Sequence, residues 1–173
     1  MDNRVTIRPV ELSDADSVQQ YASDSALTRT CNVPHPYPAG GGAAFVGRAV
    51  QECEAGQRYT FAIVCNGNFA GIMALNAVDK QAGTAELDYW VAVPFWNRGI
   101  GTAAARPVIE FAFEELGLST LQSCCLPGNM ASVRVLEKNG FVKVGEFVND
   151  GKYGNKFLGQ SMKRFQLKYN RGG

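Results

Sequence analysis

Residues Glu86–Ala104 read Glu-Leu-Asp-Tyr-Trp-Val-Ala-Val-Pro-Phe-Trp-Asn-Arg-Gly-Ile-Gly-Thr-Ala-Ala. The first half alternates in polarity, which predicts a strand over Thr84–Val93. Leu87, Tyr89, Val91 and Val93 share its packed face, and Glu86, Asp88 and Trp90 share the other. The second half runs through Gly99-Ile100-Gly101 into an apolar stripe at Ile100, Ala104, Val108, Phe111 and Ala112, which predicts a helix from about Gly99 to Leu116. A helix that begins straight after a glycine turn offers N–H groups without intrahelical partners and the positive end of its dipole. Such a place suits a phosphate-bearing ligand. Pro107 stands inside this helix, where it is expected to remove a hydrogen bond and kink the helix, at a cost of about 3 kcal/mol.

Upstream, Val5–Val10 alternates as a first strand, and Ser13 is expected to cap a polar helix reaching about Ser25. Thr28–Gly42 holds three prolines and reads as a loop of the length of a binding lid. A helical pattern resumes over Ala43–Glu54. Arg58–Cys65 and Phe69–Val78 are strand-like runs around Asn66-Gly67-Asn68, a strong hairpin signal, and a second turn lies at Asp79–Gly83. Downstream come a strand over Leu118–Leu126 that ends in Leu126-Pro127, a helix over Asn129–Asn139 stopped by Gly140, and strands over Phe141–Asn149 and Asn155–Leu167. The interleaved order predicts one α/β domain over 1–173 with a mixed sheet.

Composition narrows the function. The chain has 173 residues, 46% of them hydrophobic, and a net charge of +1 from 17 basic and 16 acidic side chains. That suffices for one core, and no global field draws it to nucleic acid or an anionic membrane. No apolar run approaches the roughly 20 residues of a membrane span, and MDNRVTIRPV lacks the apolar stretch of a signal peptide, so a cytoplasmic protein is expected. Five cysteines without Cys-x-x-Cys spacing and the single His35 argue against a metal site or a disulfide framework. Cys124 and Cys125 read as small core hydrophobes; the rival reading makes one of them a nucleophile.

The glycine turn is not a dinucleotide site. A Rossmann fingerprint needs a third glycine where Ala104 stands, a place after the first strand of its unit, and an acidic residue at the end of the next strand. A Walker loop needs Gly-Lys-Ser/Thr, which is absent. A second constellation is Asn129-Met-Ala-Ser132-Val-Arg-Val-Leu136-Glu-Lys-Asn-Gly140-Phe141. Taken with Trp96-Asn97-Arg98-Gly99-Ile100-Gly101-Thr102, it resembles the paired motifs of the GNAT acetyltransferases, within them the RimJ and RimL branch of ribosomal-protein N-acetyltransferases. Ile7-Arg8-Pro9, the loop at Pro34–Pro38 and the strand Ala85–Trp90 extend the resemblance over nearly the whole chain. Trp96 departs from it, standing where many members carry Gln or Arg, and is not assigned a phosphate contact.

The resemblance implies a mostly antiparallel twisted sheet of about seven strands flanked by about four helices. It also implies acetyl-CoA as co-substrate. In this family the first motif cradles the coenzyme A pyrophosphate, here Arg98, Gly99, Ile100, Gly101 and Thr102, while Asn129 and Ser132 touch the pantetheine side. The physical reading runs alongside. Free N–H groups over Arg98–Thr102 bind a pyrophosphate locally, and Arg98 adds a charge-assisted contact. The amide-bearing arm can lie along backbone groups of Val91, Ala92 and Val93, provided the sheet parts there. Asn129 is equally a good N-cap, and Ser132 either a catalytic group or a solvated hydroxyl.

Acetyl transfer to an amine needs a proton acceptor and donors for the oxyanion. Glu86 is the expected base, with a structural carboxylate as the other reading and Asp88 in reserve. A backbone N–H near Val91 would polarise the carbonyl, and Ser132 would protonate the departing thiolate or hold a water. Tyr37 and Trp90 are expected walls of the acceptor site. The resemblance implies as acceptor a protein N-terminal α-amine, of the ribosomal-protein type; a polyamine, amino acid or antibiotic amine, and a non-catalytic acyl-CoA-binding module, are the alternatives. No nucleic acid or membrane partner is expected, and the oligomeric state is a monomer or a homodimer.

Overall fold

The computed structural model describes residues 3–126 and 128–170; Pro127 lies outside them. Strands β1 (Val5–Pro9), β2 (Tyr59–Cys65), β3 (Asn68–Asp79) and β4 (Thr84–Val91) pair antiparallel in turn. Strands β5 (Thr120–Cys125), β6 (Val142–Val148) and β7 (Ser161–Lys168) form a second antiparallel group, and the sheet runs β1-β2-β3-β4-β5-β7-β6. One parallel joint links the groups: Thr84, Ala85 and Glu86 lie opposite Thr120, Leu121 and Gln122. Past that joint β4 and β5 separate.

Among the described residues five α-helices flank the sheet, α1 (Ala15–Ala22), α2 (Ser25–Thr28), α3 (Gly41–Glu54), α4 (Ile100–Glu110) and α5 (Met130–Lys138). α4 and α5 cover one face through Ile100, Ala104, Val108, Val133 and Leu136, packed on Met73, Leu87, Leu121 and Phe165. α1 and α3 cover part of the other through Val18, Ala22, Val46 and Ala49 on Ile72. Each buried leucine of this core contributes about 1.5–3 kcal/mol. No helix among the described residues is long and apolar enough to cross a membrane.

The differences from the sequence reading have local causes. Ser13 does not cap the first helix. Leu12–Asp14 form a 3₁₀ turn in which the buried Asp14 accepts the Glu11 N–H at 2.8 Å and grips the Arg8 guanidinium through two 2.8 Å bonds. The helix expected to reach Ser25 stops at Ala22, and Asp24 caps α2 by accepting the Ala26 N–H at 2.8 Å, which adds the fifth segment. α3 begins at Gly41, two residues early. Gly42 crosses α1 so closely that a Cβ there would meet the Ala15 carbonyl oxygen at 2.3 Å.

The predicted strand to Val93 ends at Val91, because Val93–Phe95 winds into a 3₁₀ turn around Pro94. α4 runs on past Pro107 and finishes in a wider π-helical stretch, Phe111–Glu115, where the Leu116 N–H reaches the Phe111 carbonyl at 3.1 Å. The last strand starts at Ser161 rather than Asn155. The loop before it is folded around Asn149, only 1% exposed, which accepts the N–H of Gly151 at 3.0 Å and of Tyr153 at 3.3 Å and donates to the Gly154 carbonyl at 3.0 Å.

Candidate active site

Where β4 leaves β5, its backbone turns toward open space. Ala92 donates its N–H to the Ala70 carbonyl at 2.8 Å, so its polar groups face β3. By the alternation of an antiparallel ladder, those of Leu87, Tyr89 and Val91 face the other way. The buried Ser123 hydroxyl donates to the Leu87 carbonyl at 2.8 Å at the point of separation. Beyond it, the N–H groups of Tyr89 and Val91 look into a cleft of about 990 Å³ that runs between the two strands. The rail expected over Val91–Val93 is therefore shifted: Ala92 is turned to β3, and the Val93 carbonyl closes the turn onto the Trp96 N–H at 3.1 Å. Trp96 has a structural part in this. Its indole N–H donates to the Val91 carbonyl at 2.7 Å and pins the end of β4.

The helix mouth of α4 forms one end of the cleft. Gly99 sits at the N-cap with φ 71°, a left-handed conformation that costs a side-chain-bearing residue about 1–2 kcal/mol. The Ala103 N–H is the first to bond back, to the Gly99 carbonyl at 3.1 Å. This leaves Ile100, Gly101 and Thr102 with N–H groups that have no intrahelical partner. These donors, with Lys138 and Arg134 on the cleft wall, fit a pyrophosphate. The Arg98 side chain is committed elsewhere: its guanidinium donates to Asn3 Oδ1 at 2.7 Å and lies 5.5 Å from the Phe95 ring centroid.

Midway along the cleft, the Ser132 hydroxyl lies 2.6 Å from the Tyr89 hydroxyl, and Cys125 Sγ lies 3.4 Å from Ser132 Oγ. Burial pushes the Tyr89 phenol above its ordinary range, so it stays a protonated donor. Tyr89 is a residue that the sequence reading placed among core positions. It shares the face of Leu87 and Val91, and only the separation of β4 from β5 frees its hydroxyl. Asn129 caps α5, accepting the Ser132 N–H at 3.2 Å and donating to the Thr30 carbonyl at 3.3 Å. Its side chain thus holds Ser132 and the loop at residue 30 in place.

The far end of the cleft lies on the opposite face of the sheet. Glu86 is half-buried beside it, outside the cleft lining, and accepts the hydroxyl of Tyr153, which lines it, at 3.3 Å. Asp88 is accessible from inside the cleft but enclosed by its walls. That enclosure, reinforced by the negative Glu86, pushes its carboxyl above the usual carboxylate range, against the opposing hydrogen bond from Asn76 and the charge of Arg58. Tyr37 and Trp90 line this half, and both are half-buried. The adjacent cysteines point to opposite faces, but only Cys125 joins the core; Cys124 opens onto the cleft beside Tyr153. Burial pushes both thiols up, which disfavours a thiolate nucleophile.

Two loops close over this end. The Lys156 ammonium donates to the carbonyls of Cys31 at 3.1 Å, Val33 at 3.0 Å and Thr28, tying residues 149–160 to the proline-rich loop. Tyr153 and Lys156 carried no sequence signal, since their places depend on the buried Asn149. Among the described residues no group of three or more His, Cys, Asp or Glu side chains is placed to hold a metal ion.

Residues 4–142 match the acetyltransferase (GNAT) domain family. A putative ribosomal N-acetyltransferase of Bacillus subtilis, YdaF, is 39% identical over 93 residues, 54% of this chain and half of that protein's length. The probable N-acetyltransferase YjcK of the same organism is 28% identical over 151 residues, 82% of each chain. In three dimensions, RimL, a ribosomal alpha-N-protein acetyltransferase in complex with coenzyme A, superposes with a TM-score of 0.85 at 17% identity, over 95% of this chain and 93% of that one. A probable acetyltransferase superposes at 0.82 with 26% identity, over 95% and 92%. The family match spans most of the chain. The chain belongs to the GNAT acetyltransferase family, as an N-acetyltransferase whose acyl donor is acetyl-CoA.

Proposed function

We propose that this chain acetylates a protein N-terminal α-amine of the ribosomal-protein type, by direct attack of the amine with Glu86 as the proton acceptor. The observation that supports the reading is the separation of β4 from β5 immediately after Glu86: the cleft it opens leads to the α4 helix mouth and is lined by Asp88 and by Tyr153, whose hydroxyl Glu86 accepts. Ile100, Gly101 and Thr102 hold the pyrophosphate through backbone N–H groups, and Tyr89 and Val91 offer theirs to the amides of the arm. The Val91 N–H polarises the acyl carbonyl as negative charge develops on its oxygen.

Glu86 takes the ammonium proton, directly or through a water, and Tyr153 orients its carboxylate. Ser132 gives a proton to the departing thiolate, with Tyr89 behind it in hydrogen-bond contact. The likeness to YdaF and the RimL-type architecture support a protein acceptor. A second reading has its own observation: Glu86 and Asp88 stand two residues apart on one strand face, and a spermidine N(1)-acetyltransferase of Escherichia coli is 24% identical over 158 residues, 87% of this chain and 82% of that protein. Two carboxylates suit a polyamine.

Thiol release from acetyl-CoA, followed against a panel of N-terminal peptides and small amines, tests the reading. A protein N-terminal peptide is expected to be the preferred acceptor. Glu86→Gln is expected to lower kcat about 100-fold. An unchanged rate excludes Glu86 as the base. Binding of acetyl-CoA without thiol release for any amine makes the protein an acyl-CoA-binding module instead.

A further inference from the structure

Arg58 stands at the acceptor end of the cleft without a counter-ion. The register puts Tyr59 opposite Leu75, which brings Arg58 opposite Asn76, and Asn76 in turn opposite Glu86. One row across three strands therefore reads cation, amide, carboxylate. The next row holds Thr60, Ala74 and Asp88. The guanidinium carbon of Arg58 lies 5.7 Å from the ring centroid of Phe45 on α3, and its Nε is buried without a hydrogen-bond partner. Among the described residues it forms no ion pair. Asn76 is also half-satisfied: its amide nitrogen is spent on Asp88, while its oxygen is buried and unpartnered. Arg48, one turn of α3 from Phe45, lines the same end, and its tie to Glu52 is a loose 3.9 Å.

The acceptor half is thus polarised across its floor. Two carboxylates lie at the joint where the chemistry is proposed, and two arginines lie toward α3. Arg58 and Glu86 are two strand spacings apart, about 9–10 Å between backbones. A half-buried cation that lacks a partner is unfavourable until an anion or a carbonyl oxygen meets it. A polyamine would satisfy the carboxylates and set its second cation against the arginines.

We infer that the acceptor is an amine that carries a carboxylate, its ammonium meeting Glu86 and Asp88 and its carboxylate meeting Arg58, which makes Arg58 a specificity-determining residue. In a peptide this means an acidic side chain among the first residues. The inference rests on the proposed acetyl transfer to an N-terminal amine and names its acceptor class.

The test measures thiol release with acetyl-CoA and four acceptors. These are a short peptide with glutamate at its second position, the same peptide with glutamine there, free glutamate, and spermidine. The acidic peptide is expected to exceed its glutamine twin about tenfold in kcat/KM, with spermidine last. Free glutamate separates the two sources of the same chemistry: it equals the peptide if the site takes an amino acid, and falls below it if the site takes a chain terminus.

Arg58→Met is expected to erase the gap between the twins by slowing the acidic one, with KM for acetyl-CoA unchanged. Arg58→Lys is expected to restore part of the gap, and it stands in if the methionine variant fails to fold. Equal rates for the twins with the unmodified enzyme, or a preference for spermidine, overturn the inference and leave acetyl transfer standing. No thiol release with any acceptor overturns both.

Discussion

The two ends of the cleft are made of different material. At the proposed donor end the candidate binding groups are main-chain N–H groups of α4 and β4, aimed by a left-handed Gly99 and by the divergence of two strands. At the proposed acceptor end they are side chains, Glu86, Asp88, Asn76 and Arg58 on the sheet, under two loops held together by Lys156. A backbone seat depends on the path of the chain and is indifferent to most side-chain changes. A side-chain seat can be retuned one residue at a time, which lets a single scaffold serve many acceptors.

Glu86→Gln carries the largest expected loss, chiefly in kcat, with KM for acetyl-CoA unmoved. Next in size is the Tyr89–Ser132 pair. Tyr89→Phe and Ser132→Ala are each expected to lower kcat about tenfold, and the double variant little further, since both remove one shared contact. Additive losses in that double-mutant cycle would separate the two hydroxyls. At the donor end, the Cβ of Gly99→Ala meets no heavy atom within 4 Å, so only its backbone conformation is strained. About 1–2 kcal/mol of strain predicts a rise of about tenfold in KM for acetyl-CoA with acceptor KM unmoved. A change confined to acceptor KM would erase the distinction between the two ends.

Lys156→Met tests the opposite end and is expected to raise acceptor KM about threefold, with acetyl-CoA KM unchanged, because the lost bonds are to main-chain carbonyls of the covering loop. The smallest effect on catalysis belongs to Asp14, far from the cleft. Burial raises its carboxyl, but the hydrogen bonds and charge of Arg8 and the Glu11 N–H outweigh that and hold it below its ordinary value. The Arg8–Asp14 pair therefore stabilises fully above the unfolded value, near about 4, and fades as pH falls through the folded one. Asp14→Asn should cost about 1–2 kcal/mol at neutral pH, discounted for the partly exposed arginine, and should flatten the acid limb of a stability curve by chemical denaturation. Catalytic constants should hold.

The glycine turn and the start of α4 were largely legible in the sequence, because a glycine turn into an apolar helix stripe is a local pattern. So were the Asn66-Gly67 hairpin and the opposed faces of β4 that set Glu86 apart from Leu87. What escaped depends on partners distant along the chain. Tyr89 reads as a core residue by its parity, and becomes a cleft hydroxyl only because β5 departs. Asn155–Gln160 looked like the start of a strand, yet a buried asparagine six residues upstream bends it into the loop that carries Lys156. Arg98 sits in the expected motif, but Asn3 claims its guanidinium. Asn129 satisfies the helix cap first, as its place before Met130 allowed.

The parallel joint between β4 and β5 spans three residue pairs, so the seven-stranded sheet is two stiff panels on a narrow weld. Amide hydrogens on Tyr89 and Val91, which no neighbouring strand shields, should exchange with solvent fast in the free protein. An acyl carrier lying against them, as proposed, would close the gap and make the panels one plate, so its departure after each turnover should loosen the molecule along this line.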